Sequence, residues 1–196
     1  GEVVDGDQLM SICGNYMKQK GTLKKNTIVA TVMSNLGMFL MGEREGIHIE
    51  KTKVGDRYVL ENMLENGYNI GGEQSGHIIF LDENTTGDGL LSALHLLQVM
   101  TETKKKLSEL ASIMEVLPQA LVNAKVPNHK KEHFEEYAEI AEAIAEVEAK
   151  FAGEGRVLIR PSGTEPLVRV MIEGKDQQLI ESEAQKLAEL ISSIML

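Results

Sequence analysis

A seven-residue polar turn near the C-terminus constrains the fold most. The turn, Arg-Pro-Ser-Gly-Thr-Glu-Pro at residues 160–166, separates two largely apolar runs at residues 157–159 and 167–172. Two such runs joined by a short turn predict an antiparallel hairpin. Pro161 and Pro166 stiffen its shoulders, because each proline fixes φ and removes an N–H donor. We therefore expect an antiparallel sheet in this part of the chain.

The residues of this turn also suit an anion. Ser162 and Thr164 supply hydroxyls, and Gly163 can take a positive φ that would let successive backbone N–H groups converge on one point. Arg160 and Arg169 lie on the two arms, where each guanidinium offers a planar set of donors to a phosphate. The same residues also make an ordinary hairpin with solvent-facing arginines, and the turn alone leaves both interpretations open.

Two further loops have the composition of a ligand site. Residues 69–81, Asn-Ile-Gly-Gly-Glu-Gln-Ser-Gly-His-Ile-Ile-Phe-Leu, place a carboxylate, a hydroxyl and an imidazole among three glycines. These groups suit the hydroxyls of a sugar, although a plain glycine-rich turn with a solvent-facing Glu and a buried His is the alternative. Residues 52–57 lie between a predicted strand and a predicted helix, where open α/β sheets bind ligands.

The remaining patterns predict two domains of mixed α/β class. Residues 1–117 contain two predicted strands, at 27–32 and 47–51, and several amphipathic helices, so we expect an α/β domain. Its leucine-rich helix at residues 90–100 is predicted to be the central packing helix. Residues 118–196 predict a small α+β domain of order β-α-β-β-α, an antiparallel sheet with helices on one face.

Within this second domain, residues 128–151 are predicted to form one continuous helix. Apolar residues recur on one side of this segment, and the many glutamates make the other side a solvated one. The segment ends at Gly153, a residue that commonly terminates helices. The helix is expected to lie between the first strand of the domain and the hairpin.

Charge and cysteine content exclude several classes of function. The net charge of −10 argues against nucleic-acid binding. The single Cys13 excludes an intramolecular disulfide and a cysteine metal cluster, which suits the reducing cytoplasm. No apolar run approaches the roughly 20 residues of a membrane span. Asp5 and Asp7 resemble a carboxylate pair for Mg²⁺, but capping of the helix that follows explains them better. Because the chain begins with Gly1, we expect a piece of a longer protein.

Taken together, the three loops resemble the α-D-phosphohexomutase superfamily. Residues 72–77, Gly-Glu-Gln-Ser-Gly-His, are similar to its sugar-binding loop, and residues 160–166 are similar to its phosphate-binding loop. Residues 52–59, Thr-Lys-Val-Gly-Asp-Arg-Tyr-Val, look like a third family loop that contributes to sugar selection, in the version of members acting on glucosamine phosphate. The resemblance covers the whole chain and implies the third and fourth of the family's four domains.

The resemblance also implies the site residues. The sugar is expected to contact Gly55, Asp56, Arg57, Glu73, Ser75 and His77. The phosphate is expected to be held by Arg160, Ser162, Gly163, Thr164 and Arg169. No catalytic residue is expected in this chain, because the family's phosphorylated serine lies in a Thr-x-Ser-His-Asn-Pro type loop and its Mg²⁺ in an Asp-x-Asp-x-Asp-Arg loop. Neither motif occurs here.

The implied activity belongs to the full-length protein. It is a cytoplasmic, Mg²⁺-dependent isomerisation of glucosamine 6-phosphate and glucosamine 1-phosphate through a phosphoserine enzyme and a 1,6-bisphosphate, feeding amino-sugar and cell-wall precursor synthesis. The implied partner is a small phosphosugar, with no nucleic acid and no membrane, and a homodimer would form through domains absent here. The alternatives are a mannose or glucose phosphate as substrate, or a non-catalytic phosphosugar-binding module.

Overall fold

Seven strands form two separate sheets, and the computed structural model describes all 196 residues. The chain divides into two units, Gly1–Val116 and Leu117–Leu196. The helices are α1 (Gly6–Lys20), α2 (Leu36–Glu45), α3 (Asp56–Asn66), α4 (Gly89–Thr103), α5 (Leu107–Ala111), α6 (Ala138–Phe151) and α7 (Gln177–Met195). The strands are β1 (Thr27–Thr31), β2 (His48–Thr52), β3 (Ile70–Gly72), β4 (Ile78–Phe80), β5 (Gln119–Lys125), β6 (Gly155–Pro161) and β7 (Leu167–Gly174). Two short 3-10 helices occupy Lys24–Asn26 and Lys131–Glu136.

The sheet of the first unit is mixed and covered on both faces. Its strand order is β2-β1-β3-β4, with β1 parallel to β2 and β3, and β4 antiparallel to β3. All five residues of β1 are buried, because successive side chains meet helices on opposite faces. Ile28 packs in the cluster formed with α1 and α2, whereas Val29 packs with Val59 and Met63 of α3.

This topology places two of the predicted loops at one edge. The carboxyl ends of β2, β1 and β3 point the same way, since the three strands are parallel. The loop that opens α3 follows β2, and residues 73–77 follow β3. Both loops therefore emerge at the carboxyl edge of the sheet, where open α/β sheets bind ligands.

The expectation that α4 is the central packing helix is wrong. Leu90, Leu94 and Leu97 are 73%, 56% and 56% exposed, whereas Val99 is buried. α4 contacts α1 and β4 along one side only, and the faces of the sheet are covered by α1, α2 and α3. An apolar helix composition thus did not indicate which side of the helix is buried.

The second unit is an antiparallel three-stranded sheet with helices on one face, in the order β5-β7-β6. Val168, Val170 and Ile172 of β7 are fully buried in one cluster with residues of α6 and α7. Together with the α/β first unit, this confirms the predicted fold class. The single helix expected at residues 128–151 is wrong, because Tyr137 is extended (φ −90°, ψ 110°) and separates a 3-10 helix from α6.

Candidate functional site

The polar turn connects β6 to β7 and is closed by its own hydrogen bonds. The N–H of Ser162 donates to the Leu167 carbonyl at 2.9 Å, and the N–H of Glu165 donates to Ser162 Oγ at 3.2 Å. Ser162 is only 3% exposed, so its hydroxyl supports the turn from inside. Gly163 and Thr164 are exposed, and their N–H groups donate to no acceptor in the protein. The turn therefore presents two free backbone donors at its tip.

The expected positive φ at Gly163 is not found. The φ angle of Gly163 is not positive. A Cβ added at Gly163 would meet no atom within 4 Å. The turn is shaped instead by the Ser162 hydroxyl, which bonds three residues ahead as serine commonly does in turns. The free N–H groups thus arise without a left-handed glycine.

The two arginines of the turn lie directly opposite each other. Arg160 of β6 pairs with Arg169 of β7 in the antiparallel register. Because Val168 and Val170 face the helices, the alternation of the strand directs Arg169 to the other face of the sheet, with Arg160 beside it. Arg169 Nη2 lies 3.4 Å from Glu165 Oε2 on the exposed turn, a contact worth little in water. Like charges in opposition favour an anion placed between them.

The glycine-rich loop connects β3 to β4. Glu73 N–H donates to the His77 carbonyl and Gly76 N–H donates to the Glu73 carbonyl, both at 3.0 Å. Gly76 has φ +97°, a value that favours glycine at this bend. Ser75 lies exposed at the tip, while Glu73 and His77 are partly buried at the base.

Four of the six predicted sugar residues contact one another. The N–H of Gly55 donates to Glu73 Oε1 at 3.0 Å, and His77 Nε2 lies 3.4 Å from Asp56 Oδ2. Gly55 has φ +128° and directly precedes α3, so a side chain there would be strained. The loop after β2 and the loop after β3 are thereby joined into one surface.

The other two sugar candidates stand apart from these contacts. Arg57 Nε donates to Glu61 Oε1 at 2.7 Å along α3, in the (i, i+4) arrangement of surface pairs. The Ser75 side chain makes no hydrogen bond within the protein. His77 is held by a further residue, because Gly87 N–H donates to His77 Nε2 at 3.3 Å. A Cβ at Gly87 would lie 2.6 Å from the His77 ring, so a side chain at position 87 would displace the ring.

Sequence reasoning missed the support that the start of α1 gives to this loop. Gly6 N–H donates to the Gln74 carbonyl at 3.0 Å, and Gln74 Nε2 donates to Asp5 Oδ2 at 3.3 Å. A Cβ on Gly6 would overlap the Glu73 carbonyl oxygen and lie 2.8 Å from that of Gln74. The only signal in the sequence was a glycine directly after a helix-capping aspartate.

The two N-terminal aspartates are engaged in structural roles. Asp5 caps α1, accepting from the Gln8 N–H, while Gln8 reaches back to the Asp5 N–H. Asp7 is fully buried and accepts from the Asn35 N–H at 2.7 Å, next to the start of α2. No group of three or more His, Cys, Asp or Glu side chains in the chain is arranged to hold a metal ion. Asp5 and Asp7 therefore do not form a site that fits Mg²⁺.

Family models match both units of the chain. Residues 5–117 match the phosphoglucomutase/phosphomannomutase alpha/beta/alpha domain III, and residues 121–190 match the C-terminal domain of the same family. The predicted third and fourth family domains are therefore confirmed. None of the helices combines the length and the apolar composition of a membrane span.

Several curated relatives are about 60% identical to the chain over nearly its whole length. A phosphoglucosamine mutase of Ruminiclostridium cellulolyticum is 63% identical over 97% of this chain and 42% of the relative. The phosphoglucosamine mutase of Acetivibrio thermocellus is 64% identical over the same shares. The chain spans less than half the length of these curated relatives.

Solved structures share the fold at lower identity. An N-acetylphosphoglucosamine mutase of Aspergillus fumigatus superposes with a TM-score of 0.80 at 17% identity, over 99% of this chain and 44% of that protein. A structure of the same fungal enzyme with GlcNAc-6P and magnesium has a TM-score of 0.78 at 17% identity, over 100% of this chain and 45% of that protein. At these identities the likeness shows the fold alone.

Proposed function

Because the chain belongs to the phosphoglucomutase/phosphomannomutase family, we propose that it supplies the substrate-binding portion of a phosphoglucosamine mutase. The whole protein would interconvert glucosamine 6-phosphate and glucosamine 1-phosphate through a 1,6-bisphosphate and a phosphoserine outside this chain. The observation that carries the proposal is the opposition of Arg160 and Arg169 beside two free backbone N–H groups.

The β6–β7 turn is proposed to hold the phosphate that is not reacting. Two guanidinium groups and the N–H groups of Gly163 and Thr164 would surround it with charged and neutral donors. The Thr164 hydroxyl is exposed and adds one more donor, whereas the Ser162 hydroxyl acts by shaping the turn. Positioning and electrostatic stabilisation dominate phosphoryl transfer, so a fixed grip on one phosphate would orient the other.

The joined loops of the first unit are proposed to recognise the sugar. Glu73, Asp56 and His77 present two carboxylates and an imidazole at the carboxyl edge of the sheet. Ser75 at the exposed tip and Arg57 on the first turn of α3 complete the set of candidates. A bisphosphate must bind in two orientations, and hydroxyl-reading side chains on a loop suit either end of the ring.

The setting of this activity is part of the proposal. The sugar-binding domain would comprise residues 1–117 and the phosphate-binding domain residues 118–196. Mg²⁺ would bind to residues elsewhere in the full-length protein, since this chain has no suitable cluster. The full-length protein would act in the cytoplasm, and it would dimerise through domains that this chain does not contain.

A titration of the 196-residue chain tests the phosphate site. Two-dimensional ¹H–¹⁵N spectra would be recorded with inorganic phosphate, glucosamine 6-phosphate or glucosamine alone. We expect the largest shifts at the Gly163 and Thr164 amides with both phosphates, and none there with glucosamine. Shifts centred on Asp5 and Asp7 would contradict the proposed site. Arg169→Ala should weaken these shifts. Arg44→Gln controls for the loss of one positive charge, because the Arg44 guanidinium bonds to Glu45 and the Ile113 carbonyl and not to the turn.

Turnover measurements test the assignment of the chemistry. The chain alone should not convert glucosamine 6-phosphate, because it has neither the serine loop nor the metal loop of the family. Conversion by the purified chain would refute the assignment of the catalytic residues to a part of the protein outside this chain. In the full-length protein, turnover on glucosamine, glucose and mannose phosphates would distinguish the proposed amino sugar from the other hexoses.

A further inference from the structure

A buried lysine lies beneath the turn proposed to bind phosphate. Lys131 begins the 3-10 helix Lys131–Glu136, and it is only 9% exposed. Its ammonium group donates to the Ser162 carbonyl and lies 3.4 Å from the Glu165 carbonyl. Lysines are rarely this buried without a partner that needs their charge or their donors.

These two contacts join opposite shoulders of the turn. Ser162 follows the end of β6 and Glu165 precedes the start of β7, so one ammonium group ties both arms. The Ser162 carbonyl accepts from no other group, and the N–H of Leu167 across the turn donates to the Glu165 carbonyl instead. The position of Lys131 is itself fixed, since its N–H donates to the Pro127 carbonyl at 3.2 Å.

The contact to the Ser162 carbonyl determines where the next N–H points. The carbonyl of Ser162 and the N–H of Gly163 belong to one peptide unit, and in a trans peptide they point in opposite directions. With the carbonyl directed at a buried ammonium group, the N–H of Gly163 is directed away from the interior. That N–H is one of the two free donors at the tip.

We propose that Lys131 is a positioning residue for phosphate, which turns the Ser162–Gly163 peptide so that the Gly163 N–H faces the anion. Its positive charge beneath the turn also raises the local potential that attracts an anion. The inference rests on the proposed phosphate site and adds a residue that makes no contact with the ligand itself.

The neighbouring lysine provides a matched control. Lys130 Nζ donates to the Met195 carbonyl at the end of α7, at 2.9 Å, and not to the turn. Lys131→Met and Lys130→Met each remove one ammonium group from adjacent positions. Lys131→Arg keeps the charge and the donors, whereas Lys131→Gln keeps a neutral donor. Comparing these two variants separates the contribution of the charge to phosphate binding from that of the hydrogen bond.

The experiment is a phosphate titration of each variant by ¹H–¹⁵N spectra, alongside thermal unfolding. Lys131→Met should weaken inorganic phosphate binding about 10-fold and abolish the phosphate-induced shift at Gly163. Lys131→Arg should restore most of the affinity, and Lys130→Met should bind as the wild type does. If Lys131→Met does not fold, the comparison between Lys131→Gln and Lys131→Arg carries the test.

The outcomes separate this inference from the function on which it rests. If the wild-type chain shows no phosphate-induced shift in the turn, the proposed phosphate site is wrong. If the wild type binds and the Lys131 variants bind equally well, with an unchanged Gly163 shift, the positioning role is wrong. A lower melting temperature with unchanged phosphate affinity would show that Lys131 only stabilises the fold, and it would also overturn the proposal.

Discussion

The backbone N–H of Gly55 donates to the carboxylate of Glu73 at 3.0 Å, which ties the loop before α3 to the loop after β3. One Glu73 oxygen is therefore occupied before any sugar arrives, and the residue has a structural role beside its proposed recognition role. Position 55 has a φ of +128°, which favours glycine, so no side chain at this position holds the loop in place.

Removing the Glu73 carboxylate should loosen the loop at Gly55. In Glu73→Ala we expect the Gly55 amide to exchange with solvent about 5-fold faster, since a hydrogen bond of this kind contributes about 1 kcal/mol. Amide exchange followed by NMR would measure it. Glu73→Gln retains an acceptor oxygen and should exchange nearly as slowly as wild type. Equal exchange rates in wild type and Glu73→Ala would contradict the importance of this bond.

Replacing Gly6 with alanine should destabilise the first unit. The added methyl group would overlap the Glu73 carbonyl oxygen, which belongs to backbone that cannot move freely. We expect a loss of about 1 to 3 kcal/mol in the free energy of unfolding, measured by urea denaturation. Gly89→Ala is the matched control, because Gly89 also follows an aspartate cap and has no atom within 4 Å of the added position. A Gly6→Ala loss no larger than that of the control would refute the close approach.

Substituting one of the opposed arginines should have opposite effects on stability and on binding. Without phosphate, Arg169→Ala relieves like-charge opposition to Arg160, so the melting temperature should hold or rise slightly. With phosphate, the stabilisation seen in wild type should largely vanish, because the site loses one of its two charged donors. Thermal unfolding with and without phosphate measures both. A phosphate-dependent rise in the variant equal to that of wild type would exclude Arg169 from the site.

Acid should weaken the second unit through Glu183. Its carboxylate is nearly buried between Lys150 Nζ at 2.6 Å and Lys186 Nζ at 2.8 Å. The hydrogen bond from Lys150, followed by that from Lys186, lowers the pKa of Glu183 below its ordinary value of 4.5. The unfolded chain therefore binds the proton more readily than the folded chain, and stability is lost as pH falls below about 4.5.

The Glu183 effect can be isolated by substitution. Glu183→Gln should flatten this part of the pH dependence of the unfolding free energy, because the titrating group is gone. Glu181→Gln on the same helix is the matched control, since Glu181 accepts from Gln177 and forms no ion pair with a lysine. Parallel pH profiles for wild type and Glu183→Gln would contradict the assignment.

Elements with strong local patterns were predictable from the sequence. The hairpin at residues 160–166 followed from two apolar runs and two prolines, and β1 followed from a run of β-branched residues. A cap at Asp5 or Asp7 followed from the spacing of the apolar residues behind them, and in the structure Asp5 is the cap of α1. In each case the deciding physics lies within a few residues, so a local pattern is sufficient.

Other features depended on contacts between distant residues. The burial of α4 could not be predicted, because its leucines occur on more than one side and only packing selects the buried side. The break at Tyr137 was missed for a related reason, since the apolar periodicity continues across it. The supports of the site, from Gly6 to Gln74 and from Lys131 to Ser162, join residues far apart in sequence and leave no local mark.

Because residues 73–77 rest on the first turn of α1, the loop cannot take its shape before the two segments meet. Gly6 and Gln74 are separated by most of the first unit, so the loop acquires its shape only after a long segment of chain has closed. Transplanting the Glu-Gln-Ser-Gly-His sequence into another hairpin would therefore transfer the side chains without their arrangement. A graft intended to keep the arrangement of the loop has to carry the capped start of α1 with it.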